Sequence, residues 1–69
     1  MNNHGSHAKV GDLVEILDSI GDATGMTGIV YKEEVVDTPL LERLIEYVYI
    51  TGCYPHRVRK NFVIILSRA

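Results

Sequence analysis

Two glycines three residues apart, Gly25 and Gly28, lead directly into Ile29-Val30, and an earlier glycine-led stretch, Val10-Gly11-Asp12-Leu13-Val14-Glu15-Ile16, precedes them. Only a residue without Cβ is comfortable at positive φ or where two backbones nearly touch. A strand, an arm of about ten residues and a glycine pair opening a second strand is how a small, strongly bent β-barrel begins. The spacing of the pair fits neither the Walker nor the dinucleotide pattern, and no helix follows, so it reads as a structural corner and not a phosphate loop. Gly11, Gly25 and Gly28 are accordingly assigned to turns.

A chain of 69 residues is one domain, near the size where folding removes only about 60% of the unfolded surface from water. Hydrophobic residues at 46% and charged residues at 23% place it among globular chains, and no apolar run approaches the ~20 residues that span a bilayer. The first residues have neither a basic start nor an apolar stretch, so no signal peptide is expected. Cys53 is the single cysteine, which rules out an internal disulfide and a four-cysteine zinc site and fits a reducing, cytoplasmic setting. Net charge is −2, which argues against a general nucleic-acid glue but leaves a local patch open. Charge is polarised along the chain: Glu33, Glu34, Asp37, Glu42 and Glu46 crowd the middle, and His56, Arg57, Arg59, Lys60 and Arg68 the end.

Residues 1–8 show no apolar period and are expected to form a tail, leaving 9–69 as the domain. In Leu13 to Leu17 the charge at Glu15 marks the wet face, so Val14 and Ile16 point inward. Asp18 to Thr24 is dense in turn formers and predicts an irregular arm, pinned to the core by Ile20. Strand two is expected from Ile29 to about Val36. Thr38-Pro39 is a helix-start signal, and Leu40, Leu41 and Leu44 then form one stripe of a short helix over Pro39 to Leu44, expected to plug an open end of the barrel. The same stripe also suits docking to another protein.

Ile45 to Thr51 switches to period two. Val48 and Ile50 continue the inward set, which puts Ile45, Tyr47 and Tyr49 on the opposite, unusually apolar face. Aromatic side chains there suit stacking on bases or packing against a protein. Gly52 to Pro55 reads as a turn, and Cys53 with His56 lacks the orienting carboxylate and oxyanion site that a nucleophile needs. No second closely spaced pair joins Cys53, His56, His4 and His7, so no metal site and no cofactor are expected. Around Val58, which faces in, Arg57 and Arg59 face out beside each other with His56 and Lys60 flanking. That set suits a phosphate or carboxylate clamp, and equally the protection of an edge strand. Phe62 to Leu66 reads as a strand apolar on both faces, with Val63 and Ile65 inward; the short helix or a second copy must cover the other face.

The order of these features resembles the KOW motif and its SH3-like barrel, over roughly Lys9 to Leu66. Val10 to Ile16, Gly25 to Val30, Val48-Tyr49-Ile50 and Val58 carry the resemblance. It implies that Gly28 is the motif's fixed glycine and that Val14 and Val30 are core positions; KOW domains bind RNA or protein. The chain also looks like very small SH3-like proteins of tailed bacteriophages, which share its Gly-Asp-Leu-Val strand, its Gly-Ile-Val segment and its Ile64 to Ala69 type of ending. Its Gly-Asp-x-Val start is similar to that of the plasmid-encoded type of dihydrofolate reductase, whose pore uses a glutamine-containing strand; this chain has no glutamine. The expectation is therefore a small all-β fold, a five-stranded SH3-like barrel with one short helix before strand three. Its expected function is a non-enzymatic protein-interaction or structural module, phage-encoded by the second resemblance, with a protein or a second copy as partner. The alternative is an RNA- or DNA-binding module. Tyr47, Tyr49, Arg57, Arg59 and Lys60 are the candidate binding residues, with no membrane partner.

Overall fold

Alternation over Leu13-Val-Glu-Ile-Leu17 produces the first strand, β1 (Leu13–Leu17), with Val14 and Ile16 buried on one side. In the computed structural model, which describes residues 7–52 and 56–69, it is followed by β2 (Ala23–Thr38), β3 (Arg43–Ile50), β4 (Arg57–Arg59) and β5 (Val63–Ser67). The strands form one antiparallel sheet in the order β4-β3-β2-β1-β5, and the described residues include no long helix. Residues 1–6 of the expected tail, with His4, and residues 53–55 of the expected turn, with Cys53, lie outside the described residues.

One small core serves the whole sheet. Val14, Ile16, Val30, Val48, Ile50, Val63 and Ile65 are buried together, and Val58 packs against them. Val14, Ile16, Val48 and Ile50 are the inward positions that period-two alternation marks, Val30 is the one the KOW resemblance implies, and Val63 and Ile65 are the inner set of a strand that reads as apolar on both faces. Ala8 joins them, fully buried, so the folded domain begins earlier than the tail boundary at residue 8 implies. An alanine outside any periodic pattern gives no signal of its burial.

The sixteen-residue β2 is the spine. Its first part, from Ala23 to Ile29, pairs with β1, and from Val30 onward it pairs with β3. The hand-over sits at Gly28 to Lys32, where the β2–β3 register shifts by one residue and Tyr31 is the extra one. There the Thr51 N–H donates to the Ile29 carbonyl at 3.0 Å and the Ile29 N–H to Thr51 Oγ1 at 3.1 Å. The end of β3 is thereby laid directly against Gly28. The glycine pair thus does not open the strand as expected: Gly28 lies within β2 at its closest crossing, and Gly25, at φ +80°, lies within its first part.

Two further expectations are corrected. The arm between β1 and β2 is a tight turn, because Asp18 Oδ1 accepts the N–H groups of both Ile20 and Asp22 and β2 begins at Ala23. Ile20 is 80% exposed and pins nothing. The expected helix over Pro39 to Leu44 shrinks to a 3-10 turn, Pro39–Leu41, closed by the Glu42 N–H donating to the Pro39 carbonyl. Alternation resumes at Arg43, and a helix that must nucleate in a few residues between two paired strands loses to the hairpin. Leu40, Leu41 and Leu44 are exposed at its apex and cover no core. Phe62 likewise belongs to a 3-10 turn, Lys60–Phe62, with β5 starting at Val63.

Candidate functional site

The outer face of β3 and β4 is set by register. Tyr47 pairs with Arg59 and Tyr49 with Arg57, so the period-two rule brings all four side chains to one face, as expected. On the other flank Lys32 pairs with Tyr49 and Glu34 with Tyr47. Glu34 sits at the centre: it accepts from the Tyr49 hydroxyl at 3.1 Å and from Arg57 Nη1 at 3.3 Å. The Arg57 guanidinium lies 4.3 Å from the centre of the Tyr47 ring, and Lys32 Nζ lies 4.9 Å from that of Tyr49. Tyr31 packs against Tyr49 at 6.0 Å between centroids. The hydrogen bond that Arg57 donates to Glu34 raises the Arg57 pKa further, so this guanidinium stays charged. The rings that alternation exposes are thus partly covered by the chain's own cations. Lys32 and Glu34 escape a reading of β3 alone, since nothing local tells which β2 residues face it across the ladder.

Lys60 does not join this face. It is 8% exposed, and its ammonium lies 2.9 Å from Glu33 and 3.8 Å from Glu46. Glu33 pairs with Val48, an inward position, so the inner side of the sheet changes from apolar to ionic where the core runs out. The hydrogen bond from Lys60 outweighs desolvation and holds the Glu33 carboxyl below its ordinary range. Because the folded pKa is depressed, the contribution of this pair is full above the ordinary carboxylate pKa of about 4.3 and is lost as pH falls through the lower folded value. Replacing Lys60 with methionine keeps the packing and removes the desolvated charge. The carboxylates left behind, Glu33 and Glu46, are 39% and 50% exposed and stay hydrated, so the expected effect at neutral pH is within about 1 kcal/mol of zero, with a shallower loss of stability on acidification, read from urea midpoints at neutral and acid pH.

Arg59 has no carboxylate partner among the described residues. Its guanidinium lies 6.0 Å from the Phe62 ring, and its buried Nε has no hydrogen-bond partner. It lines a pocket of about 120 Å³ with Leu44, Ile45, Glu46, Lys60 and Asn61. A larger apolar groove of about 290 Å³ opens between the end of β1 and β4, walled by Ile16, Leu17, Val58 and Phe62, with Asp18, Ser19 and Arg57 also lining it. Sequence periodicity does not show this groove, since its walls come from three separate segments.

Beyond Glu34 the β2–β3 hairpin continues as a two-stranded ribbon past the strands beside it, held at its base by the contact of Glu46 with Lys60. The described pairing of β1 with β2 ends at Ile29, and β4 pairs with β3 only from Tyr47 to Tyr49, so the outer ribbon has two unpaired edges. Val35, Leu40, Leu41 and Leu44 are all exposed on it, Leu40 at 99%. Of the large hydrophobic side chains left in water, four thus sit on one protruding element. The third glycine of the turn set, Gly11, has φ +98° and packs beside Ala69. No protein family matches this chain, and neither a curated protein nor a solved structure shows significant similarity to it.

Proposed function

We propose that this chain is a non-enzymatic protein-interaction or structural module on an SH3-like barrel, and that its docking element is the β2–β3 ribbon. The observation that carries this is the exposure of Val35, Leu40, Leu41 and Leu44 on a hairpin whose two edges are unpaired. A two-stranded ribbon is marginal in water by itself, and an exposed apolar apex gains by burial against a partner. The five strands and their short connections accommodate an SH3-like barrel, in keeping with the resemblance of the sequence.

The second reading, a nucleic-acid binder, draws on Arg57 and Arg59 sharing one face with Tyr47 and Tyr49. Against it, Lys60 is held by Glu33 and Glu46. Three phosphate contacts from Arg57, Arg59 and Lys60 would give a log–log salt slope of roughly −2.7 on duplex DNA. The expected result is no measurable binding at low salt, and a slope near that value would overturn the interaction reading. The direct test places a photoreactive residue at position 40 in the source cell. A discrete protein adduct is expected, and its absence counts against the ribbon as a docking element.

A further inference from the structure

The apolar apex and the apolar groove are complementary features of one chain. We propose that the tip of the β2–β3 ribbon, carrying Leu40 and Leu41, seats in the groove walled by Ile16, Leu17, Val58 and Phe62 of a second copy, giving head-to-tail assembly. This rests on the ribbon being the docking element and names its partner.

Size, charge and position support a second copy as the occupant. The groove, at about 290 Å³, is roughly twice the ~150 Å³ cavity that holds one benzene, so its volume is sufficient for a leucine side chain. Its lining is apolar except at Asp18, Ser19 and Arg57. The tip is followed at once by Glu42 and Arg43, both exposed. Glu42 meets Arg57 of the second copy and Arg43 meets Asp18 of the second copy, so each charge beside the tip finds its opposite at the groove. Arg57 is 48% exposed beyond its contact with Glu34 and keeps guanidinium donors to spare.

The turn supplies a second indication. Glu42 has φ +52° and is the only described residue other than glycine at positive φ. Glycine would be more comfortable there, so the turn by itself gives no reason for a carboxylate at this position. Tip and groove also lie at opposite ends of β2: the tip follows Thr38, whereas Leu17 at the groove pairs with Ala23. Because the two surfaces differ, the contact is heterologous and propagates into a ring or an open chain. A net charge of only −2 offers little repulsion between copies.

The test is sedimentation velocity on the full purified chain from micromolar to millimolar concentration. The mass of the wild type should rise with concentration past that of a dimer. Leu40→Asp with Leu41→Asp destroys the tip and leaves the groove; Ser19→Arg fills the groove and leaves the tip. Both changes are at exposed positions, and amide NMR spectra confirm that each variant is folded. Each alone should be monomeric, and an equimolar mixture should form a heterodimer and stop there, since only one intact tip and one intact groove remain. A wild type that stays monomeric, variants that associate like the wild type, or a mixture that stays monomeric would each overturn the proposal. Crosslinking from position 40 separates the two levels. An adduct with a different protein alone removes the second copy but keeps the interaction reading, whereas no adduct removes both.

Discussion

Replacing Gly28 with alanine is expected to unfold this protein. A Cβ at this position would overlap the carbonyl oxygen of Thr51 and come within 2.5 Å of Ile50 Cγ2. Neither neighbour can yield. The Thr51 amide and hydroxyl are both hydrogen-bonded to Ile29, and Ile50 is fully buried in the core. Relief requires separating β3 from β2 at the point where β2 passes from one partner strand to the other. Overpacking against backbone costs on the order of 3 kcal/mol, and a core of this size supplies only about 3–5 kcal/mol in total. The expected result is a loss of amide NMR dispersion and of the cooperative urea transition. Gly25→Ala separates space from conformation: its Cβ would meet nothing within 4 Å, so that variant carries only the strain of φ +80° and should remain folded.

The second large effect is expected at Asp12, which is 2% exposed. Its Oδ2 accepts the Lys9 N–H at 2.9 Å and its Oδ1 the Ala69 N–H at 3.0 Å. Its own N–H donates to the Lys9 carbonyl, and its carbonyl accepts from Val30. The Asp12 side chain thus joins the two ends of the described domain, and its main-chain carbonyl fixes them to the middle of β2. Asp12→Ala leaves the two amides without their acceptor, at about 1–3 kcal/mol each, so most of the molecules should be unfolded. Asp12→Asn keeps one acceptor and is expected to be intermediate. Burial pushes the carboxyl upward, but the amides of Ala69 and Lys9, with the charges of Arg68 and Lys9, hold it below its ordinary value. For a carboxyl depressed in the folded state, the contribution is complete above the unfolded value of about 3.9 and disappears as pH falls through the folded one. The wild type should therefore lose thermal stability below about pH 4, and Asp12→Asn should lose less over the same range. An identical acid limb in both would exclude Asp12 as its source.

The role of Asp12 is also where local reading stops. Gly11-Asp12 announces the start of a strand, and the structure agrees, but nothing in the stretch shows that its carboxylate reaches a residue at the other end of the chain. Lys60 is the same case in reverse. It follows Arg57 and Arg59 in a basic run and so reads as one more surface cation, yet the 3-10 turn at Lys60–Phe62 breaks the alternation and swings it under the sheet to Glu33. The leucines at 40, 41 and 44 fit a helical stripe only if a helix exists to carry them. The pairing of Thr38 with Arg43 closes a hairpin first, and the three side chains are left in water.

Where a polar residue interrupts the apolar pattern, as Glu15 does, the wet side of a strand is legible without its partners, because side chains alternate across a strand whatever it pairs with. Alternation places Val14, Ile16, Val48 and Ile50 inward and turns Tyr47 and Tyr49, like Arg57 and Arg59, outward; Val30 is marked by the resemblance to the KOW motif, and register brings the four outward side chains to one face. Tertiary structure decided where each face ends and what meets it: Glu34 between Arg57 and Tyr49, Lys60 against Glu33, the ribbon beyond its neighbours and the groove from three segments. The physical reason is that alternation is a property of neighbouring residues, whereas cover, charge pairing and free edges depend on register between strands far apart in the chain. Gly28 belongs to both: its lack of a side chain is legible at once, and the Thr51 carbonyl that requires it is found only in the folded chain.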